Sequence, residues 1–188
     1  TLILTDANNV APRIGFAYRL APGTVLRGGY GIGFNSGSYS WIARQMVSQP
    51  PFANTNTSIG TPEAPLSISD PFLTAQPNET TNNYGINKSY DLGLVQTWNA
   101  DISRDLNQVW NVGAGYTHTR GTSLDIVRAP NRGPDGLRIE GVQSFLWQSS
   151  EGASTLNAAA FRMRRRPVRG IGFGLTYTLA PSRDNAST

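Results

Sequence analysis

The chain has 188 residues, no Cys, a formal net charge of +4, 38% hydrophobic and only 15% charged residues, against about 25% charged in ordinary soluble domains. Gly (20), Pro (12) and abundant Asn, Thr and Ser stand in place of charged helix formers, which argues against a helical bundle, and no apolar run approaches the ~18 residues of a membrane helix. Patterned aromatics at 10% argue against full disorder, and the lack of Cys excludes disulfide scaffolds, Cys-based zinc sites and thiol catalysis.

The segment Thr1 to Asp6 lacks the basic and apolar regions of a secretory signal, so the chain is expected to be an excerpt of something longer. In Arg13-Ile14-Gly15-Phe16-Ala17-Tyr18-Arg19-Leu20 the apolar residues alternate with Arg, Gly and Ala, the period of a two-faced strand. Ala21-Pro22-Gly23 supplies a tight turn. Thr24 to Phe34 continues the alternation, with Leu26, Tyr30, Ile32 and Phe34 opposite Arg27, Gly29, Gly31 and Gly33. These two strands predict a hairpin.

From about 35 to 94 the alternation stops, a connection far longer than ordinary loops and therefore expected to be functional or disordered. A short helix is predicted around Tyr39 to Ser48, ended by Pro50-Pro51. Strands are predicted at Gln96 to Leu106 and Val109 to Arg120, then a second loop over about 121–143. A short strand at Ser144 to Gln148, a strand at Thr155 to Arg165 and a last strand from Ile171 to Ser182 complete the chain. The expected fold is all-β: about six strands in three hairpins, antiparallel and up-and-down. Short turns lie at one end and long loops at the other, over 1–188 as a single unit.

Strands of ten to twelve residues are long for a globular sheet and sufficient to cross a bilayer at a tilt. Their second face carries Gly, Ala, Thr, Asn and Arg where a soluble sandwich would present Lys and Glu. That suits a lumen, with the apolar face in lipid and aromatics such as Tyr30, Phe34, Trp98, Trp110, Tyr116 and Tyr177 near the strand ends. The competing reading is a soluble all-β binding or adhesion module with the apolar face in a core.

Asn8-Asn9-Val10-Ala11-Pro12-Arg13-Ile14-Gly15-Phe16-Ala17-Tyr18, then Thr24-Val25-Leu26-Arg27-Gly28-Gly29-Tyr30-Gly31-Ile32, resembles the barrel of TonB-dependent outer-membrane receptors. The group it is most similar to is Oar-like, with a carboxypeptidase-regulatory-like domain ahead of plug and barrel. Gln49-Pro50-Pro51-Phe52, Gln96 to Leu106, Gly115 to Thr122 and Thr176 to Ser187 follow in the family's order. The resemblance implies part of a transmembrane β-barrel in the outer membrane. It implies partners in membrane lipid, a plug domain, further barrel strands, an energising TonB complex and a ligand left unnamed. The chain departs from the family in lacking a plug and a terminal aromatic strand, so an incomplete barrel, open at both edges, is expected.

Candidate functional residues are few. In the long loop Tyr39, Trp41, Arg44 and Phe52 could contact ligand, since loops on a rigid scaffold carry function; the structural alternative is packing on the barrel rim. On the lumen face Arg13, Arg19 and Arg27 could bind anionic groups or pair with plug carboxylates. The run Arg162-Met163-Arg164-Arg165-Arg166-Pro167-Val168-Arg169 could bind nucleic acid or anionic surfaces. With few aromatics interleaved, it is expected instead at a turn, at the lipid headgroup boundary. The glycines at 28–33 lie inside a strand, so no nucleotide site is expected. His118 is the single His and cannot make a His-based metal site alone. Ser123, His118 and Asp125 form a triad only on paper, and paired carboxylates are missing. No enzyme, cofactor, metal or nucleic-acid partner is expected. The sequons at Asn56, Asn78, Asn87 and Asn185 would matter only in a eukaryotic secreted protein.

Overall fold

Residue alternation along the chain is realised as strand pairing, and the pairing decides which side chains share a face. The computed structural model describes residues 3–4, 7–53, 62, 65, 67–69, 83–139 and 144–186. In chain order these form β1 (Arg13–Ala21), β2 (Thr24–Phe34), α1 (Gly37–Val47), β3 (Tyr84–Ile86), β4 (Leu94–Asp105) and β5 (Trp110–Arg128). Then come β6 (Arg132–Gly133), β7 (Gly136–Leu137), β8 (Leu146–Val168), β9 (Ile171–Leu179) and β10 (Ser182–Asp184). The sequons Asn56 and Asn78, the middle of the expected 35–94 connection, the end of the second loop and parts of both termini lie outside the described residues.

The main sheet has the order β1-β2-β4-β5-β8, with β9 and β10 both on β8 and β3 added alongside it. The β1–β2, β2–β4, β4–β5, β8–β9 and β8–β10 pairs are antiparallel. Three hairpins turn tightly at one end. Pro22-Gly23 uses a positive φ at Gly23, and Arg169 (φ 53) with Gly170 (φ 82) closes β8 onto β9. Two consecutive positive φ values match the right-handed twist of the flanking strands. The third turn is held by Asn107, whose Oδ1 accepts the amides of Val109 and Trp110, each at 2.9 Å. Among the described residues β1 has a partner on one side only, and so have β9 and β10. The sheet does not close.

Four expectations need correcting. The 121–143 loop begins later, because Leu94 and Val95 pair with Thr122 and Gly121 and carry β5 on to Arg128. The separate strands at 144–148 and 155–165 are one, β8, of 23 residues. Its polar middle continues because Ala153 donates to Asn185 Oδ1 (2.7 Å) and accepts from the Asn185 amide (3.1 Å). The last strand is instead interrupted at Ala180-Pro181, where proline offers no N–H. The ladder resumes when the Asn157 amide donates to the Pro181 carbonyl at 3.0 Å. Finally, the long connection contains β3, which pairs in parallel with 146–148 of β8, as well as the expected helix.

Partners in register lie on the same face. Ile14 opposes Tyr30, Tyr30 opposes Trp98 and Trp98 opposes His118. Tyr30 and Trp98 rings stand 5.4 Å apart, and Trp98 and His118 rings 5.1 Å. The row ends on β8, where Asn157 Oδ1 accepts from Tyr116 (2.8 Å) and from His118 Nδ1 (2.7 Å). Nearer the turns, Trp110 meets Phe173 edge-on at 5.5 Å. From Trp110 to His118 is about 26 Å of strand at ~3.3 Å per residue. At the ~35–45° tilt of barrel strands that length rises about 19–22 Å, most of the ~25 Å apolar band of a membrane barrel. Between the two rows lie Phe16, Tyr18, Ile102, Phe161, Leu175 and Tyr177, all exposed, Tyr18 to 63% and Leu175 to 60%. No second sheet covers them among the described residues, so the two packed sheets of the soluble alternative are not formed. Covering each such side chain is worth ~1.5–3 kcal/mol.

The chain divides into two compact units. One contains 5–35, 91–125 and 150–188, the strands just described. The other contains 1–4, 36–90 and 126–149. The buried residues of the second include Ile42, Tyr84, Ile86, Tyr90 and Ile126, together with Asn131, Gln148 and Ser149 at 1% exposure. Two of its buried polar side chains are hydrogen-bonded, as burial favours: Asn131 Oδ1 accepts the Ile139 amide at 2.8 Å, and Tyr84 donates its hydroxyl to Gln148 Oε1. Ser149 Oγ has no hydrogen-bond partner among the described residues.

Glycine placement yields a test. A Cβ at Gly152 would lie 2.6 Å from the Leu124 carbonyl oxygen, whereas one at Gly174 would meet nothing nearer than 3.9 Å. In the full-length protein in detergent micelles, Gly152→Ala is expected to lower the urea unfolding midpoint, consistent with an overpacking cost of ~1–3 kcal/mol. Gly174→Ala is expected to leave it unchanged.

Candidate functional site

The small-residue face of the strand unit is where charge collects. Strand parity puts Arg13 and Arg19 of β1, Arg27 of β2, Asp101, Ser103 and Asp105 of β4, and Arg162, Arg164 and Arg166 of β8 on this face. Arg27 stands opposite Asp101 in register and donates from Nη1 to Ser103 Oγ at 3.2 Å.

Two of the arginines reach across a whole strand. Arg162 of β8 forms an ion pair with Asp101 of β4, although β5 lies between them. Gly113 and Gly115 of β5 make the crossing possible. A Cβ at 115 would sit 2.9 Å from Asp101 Oδ2 and 3.5 Å from Arg162 Nη2, and one at 113 would sit 3.8 Å from Arg162 Nε. Arg166 repeats the arrangement at the turn end. Its Nη2 donates to Asp105 Oδ1 at 2.9 Å, and Asn111 Nδ2 donates to the same oxygen at 3.0 Å. Its Nη1 and amide donate to the carbonyls of Gln108 (3.2 Å) and Val109 (2.8 Å).

These residues border a cavity of about 890 Å³ lined by Arg27, Asp101, Ser103, Arg162, Arg164 and Arg166. Three aspartates, Asp101, Asp105 and Asp184 of β10 (in register with Ser154 of β8), share this face with six arginines, and among the described residues Arg13, Arg19, Arg27 and Arg164 form no ion pair. Guanidinium forks recognise carboxylate and phosphate bidentately, so the surface is suited to anionic groups.

The Arg162–Arg169 run spans the end of β8 and the following turn, as expected, with its side chains divided between the two faces. Arg162, Arg164 and Arg166 face the cavity, while Arg165, in register with Phe173, lies on the apolar face and Arg169 forms the turn. The alternation that assigned Phe173 and Leu175 to one face also carried this answer, once extended to β8. The cross-strand partners Asp101 and Asp105 gave no such signal, because which strand a side chain reaches depends on register and on room above β5. His118 belongs to the other face, where it engages Asn157 and Trp98 rather than Ser123 or Asp125. Among the described residues no three His, Cys, Asp or Glu side chains gather as a metal site.

The loop candidates occupy the second unit. Helix α1 buries Ser38 and Ile42, one turn apart, which leaves Tyr39 and Arg44 exposed. Trp41 packs edge-on against Tyr84 with ring centroids 5.4 Å apart. Phe52, 75% exposed, stands apart from that contact. A cavity of about 260 Å³ in this unit is lined by Gln45, Ser48, Asn83, Tyr84, Arg132 and Phe145. None of these was legible as a site residue, since isolated polar side chains on a helix and two loops carry no motif. Tyr84 is further fixed by its amide, which donates to Gln49 Oε1 at 2.7 Å.

Comparison with known proteins gives two positive findings. The family described as "Outer membrane beta barrel domain" matches residues 1–188. The crystal structure of the siderophore receptor PirA from Pseudomonas aeruginosa is similar at a TM-score of 0.51 and 12% identity, over 90% of this chain and 28% of that one. The chain thus spans under a third of the length of that receptor, and at this identity the likeness speaks to the fold. No curated protein matches.

The Arg162–Asp101 pair generates a measurable coupling. Both side chains are part-exposed, at 50% and 25%, and pairs of this kind contribute ~0.2–1 kcal/mol. A double-mutant cycle of Asp101→Asn and Arg162→Gln on unfolding of the full-length protein is expected to return a coupling in that range. In 1 M salt the coupling is expected to fall by about half, following screening over a Debye length of ~3 Å.

Proposed function

The chain belongs to the outer membrane beta-barrel domain family, and from that premise we propose that it forms part of the wall of a TonB-dependent transporter of the Oar-like kind. In this reading the apolar face with Phe16, Tyr18, Leu175 and Tyr177 meets lipid. The arginine-bearing face looks into the lumen, and β1 and β9 continue into further strands of the parent protein. The connections that contain α1 and β6–β7 lie on the extracellular side, since barrels place their long loops there and their short turns in the periplasm.

The observation that carries the reading is the pairing of one face, apolar between its two ends, with a small-residue face that lines an open cavity. A wall of this kind leaves room for a filling plug and a passing solute. Its arginines offer partners to plug carboxylates or to an anionic part of the solute. The work done is binding and gated passage, with energy from a TonB complex reached through the plug, and no bond chemistry. Tyr39, Trp41, Arg44 and Phe52 offer aromatic and cationic contacts to a ligand on the extracellular side.

The experiment uses the full-length parent in a planar lipid bilayer. The intact protein is expected to pass no steady ion current, because the plug fills the lumen, and deletion of the plug is expected to open a large conductance. A steady current through the intact protein, or none after the deletion, would overturn the reading.

A further inference from the structure

The apolar face holds arginines of its own, and they lie only towards its ends. Arg104, in register with Val112, and Arg165 lie near the short turns. Arg120 and Arg183 lie at the other end. Arg183 of β10 pairs with Thr155 of β8. The His118–Asn157 hydrogen bond places Arg120 of β5 against the same threonine from the opposite side, two residues further along each strand. The approach of Gly121 to Ser154, whose Oγ would lie 2.8 Å from an added Cβ, gives the same register. Thr155 is thus flanked by an arginine on each neighbouring strand, with ~10 Å between the outer strand axes.

Among the described residues neither Arg120 nor Arg183 takes part in an ion pair, and both are exposed. The nearest carboxylate of this face on β8, Glu151, is four residues beyond Thr155, ~13 Å along the strand. On the turn side of the two arginines lies the Tyr30–Trp98–His118–Asn157 row, the kind of aromatic border that sits where hydrocarbon meets headgroup. The arginines therefore stand ~7 Å beyond that border, at headgroup depth, and on the long-loop side, the outer leaflet. A guanidinium there finds its strongest available partner in a phosphate.

We propose that Arg120 and Arg183 together hold the phosphate-bearing headgroup of an outer-leaflet lipid over Thr155, with the Trp98–His118 stack against its apolar base. The site requires only the outer-membrane placement of the family and stands whether or not the parent transports anything. The test uses the full-length protein in detergent, with lipid A bearing its phosphates, the same lipid dephosphorylated, and inorganic phosphate as probes. Retention is read by native mass spectrometry.

Wild-type protein is expected to retain phosphorylated lipid A at least tenfold better than the dephosphorylated form. The double variant Arg120→Gln/Arg183→Gln is expected to lose at least tenfold. Arg104→Gln, and Arg120→Lys/Arg183→Lys, which keeps the charges and controls for folding, are expected to retain the lipid. Equal binding of the two lipids, an unaffected glutamine double variant, equal loss in Arg104→Gln, loss of binding in the lysine double variant, or full displacement by inorganic phosphate would each overturn the proposal.

Discussion

A backbone amide or carbonyl left without a partner in hydrocarbon costs several kcal/mol, and the sheet is organised by that requirement. Each pairing from β1 through β9 satisfies a row of these groups and, in doing so, sets the register. Register then sets everything on the side chains, because strands have a period of two and a slip of one residue would exchange Phe16 and Tyr18 with Ala17 and Arg19. The turns that hold register are correspondingly specific, with positive φ at Gly23, Arg169 and Gly170 and Asn107 capping the third. The outer edges of β1 and of β9 and β10 are under the same requirement in a membrane, which further strands of a barrel fulfil.

Glycine does a second job beyond the turns. Its absent side chain provides tracks along which long neighbours can lie. On the apolar face the Phe16 ring rests over Gly28, where an added Cβ would be 2.5 Å from the ring. On the other face Gly113 and Gly115 open the path by which Arg162 reaches Asp101. The same residue type thus serves an apolar contact on one side and an ion pair on the other. The charge that remains, four arginines without an ion pair among the described residues, makes the small-residue face positive. The two outward arginines near Thr155 belong to a different environment because their strand parity is opposite.

Much of this was legible before any coordinates. The three hairpins, their short turns and the α1 helix follow from alternation and from Pro and Gly placement. Arg13, Arg19 and Arg27 follow from the same parity. What failed was segmentation by composition. Ser149, Ser150 and Glu151 resemble loop residues, yet they lie inside β8, held by backbone pairing that any side chain tolerates. Likewise β5 continues through Thr122 because Leu94 faces it. Polar composition marks where a loop is permitted; it does not mark where pairing stops.

The sequence by itself determined the two faces, since side-chain parity is a local property of an extended chain. Those faces narrowed the class to a barrel wall or a soluble all-β module, and the motifs shared with outer-membrane barrels favoured the first. Only the tertiary structure decided who meets whom. The Arg162–Asp101 and Arg166–Asp105 pairs, the flanking of Thr155 by Arg120 and Arg183, and the seat of Trp41 on Tyr84 all join segments distant in the chain. Such contacts depend on the stagger between strands and on the space left above an intervening one. No local pattern encodes either quantity.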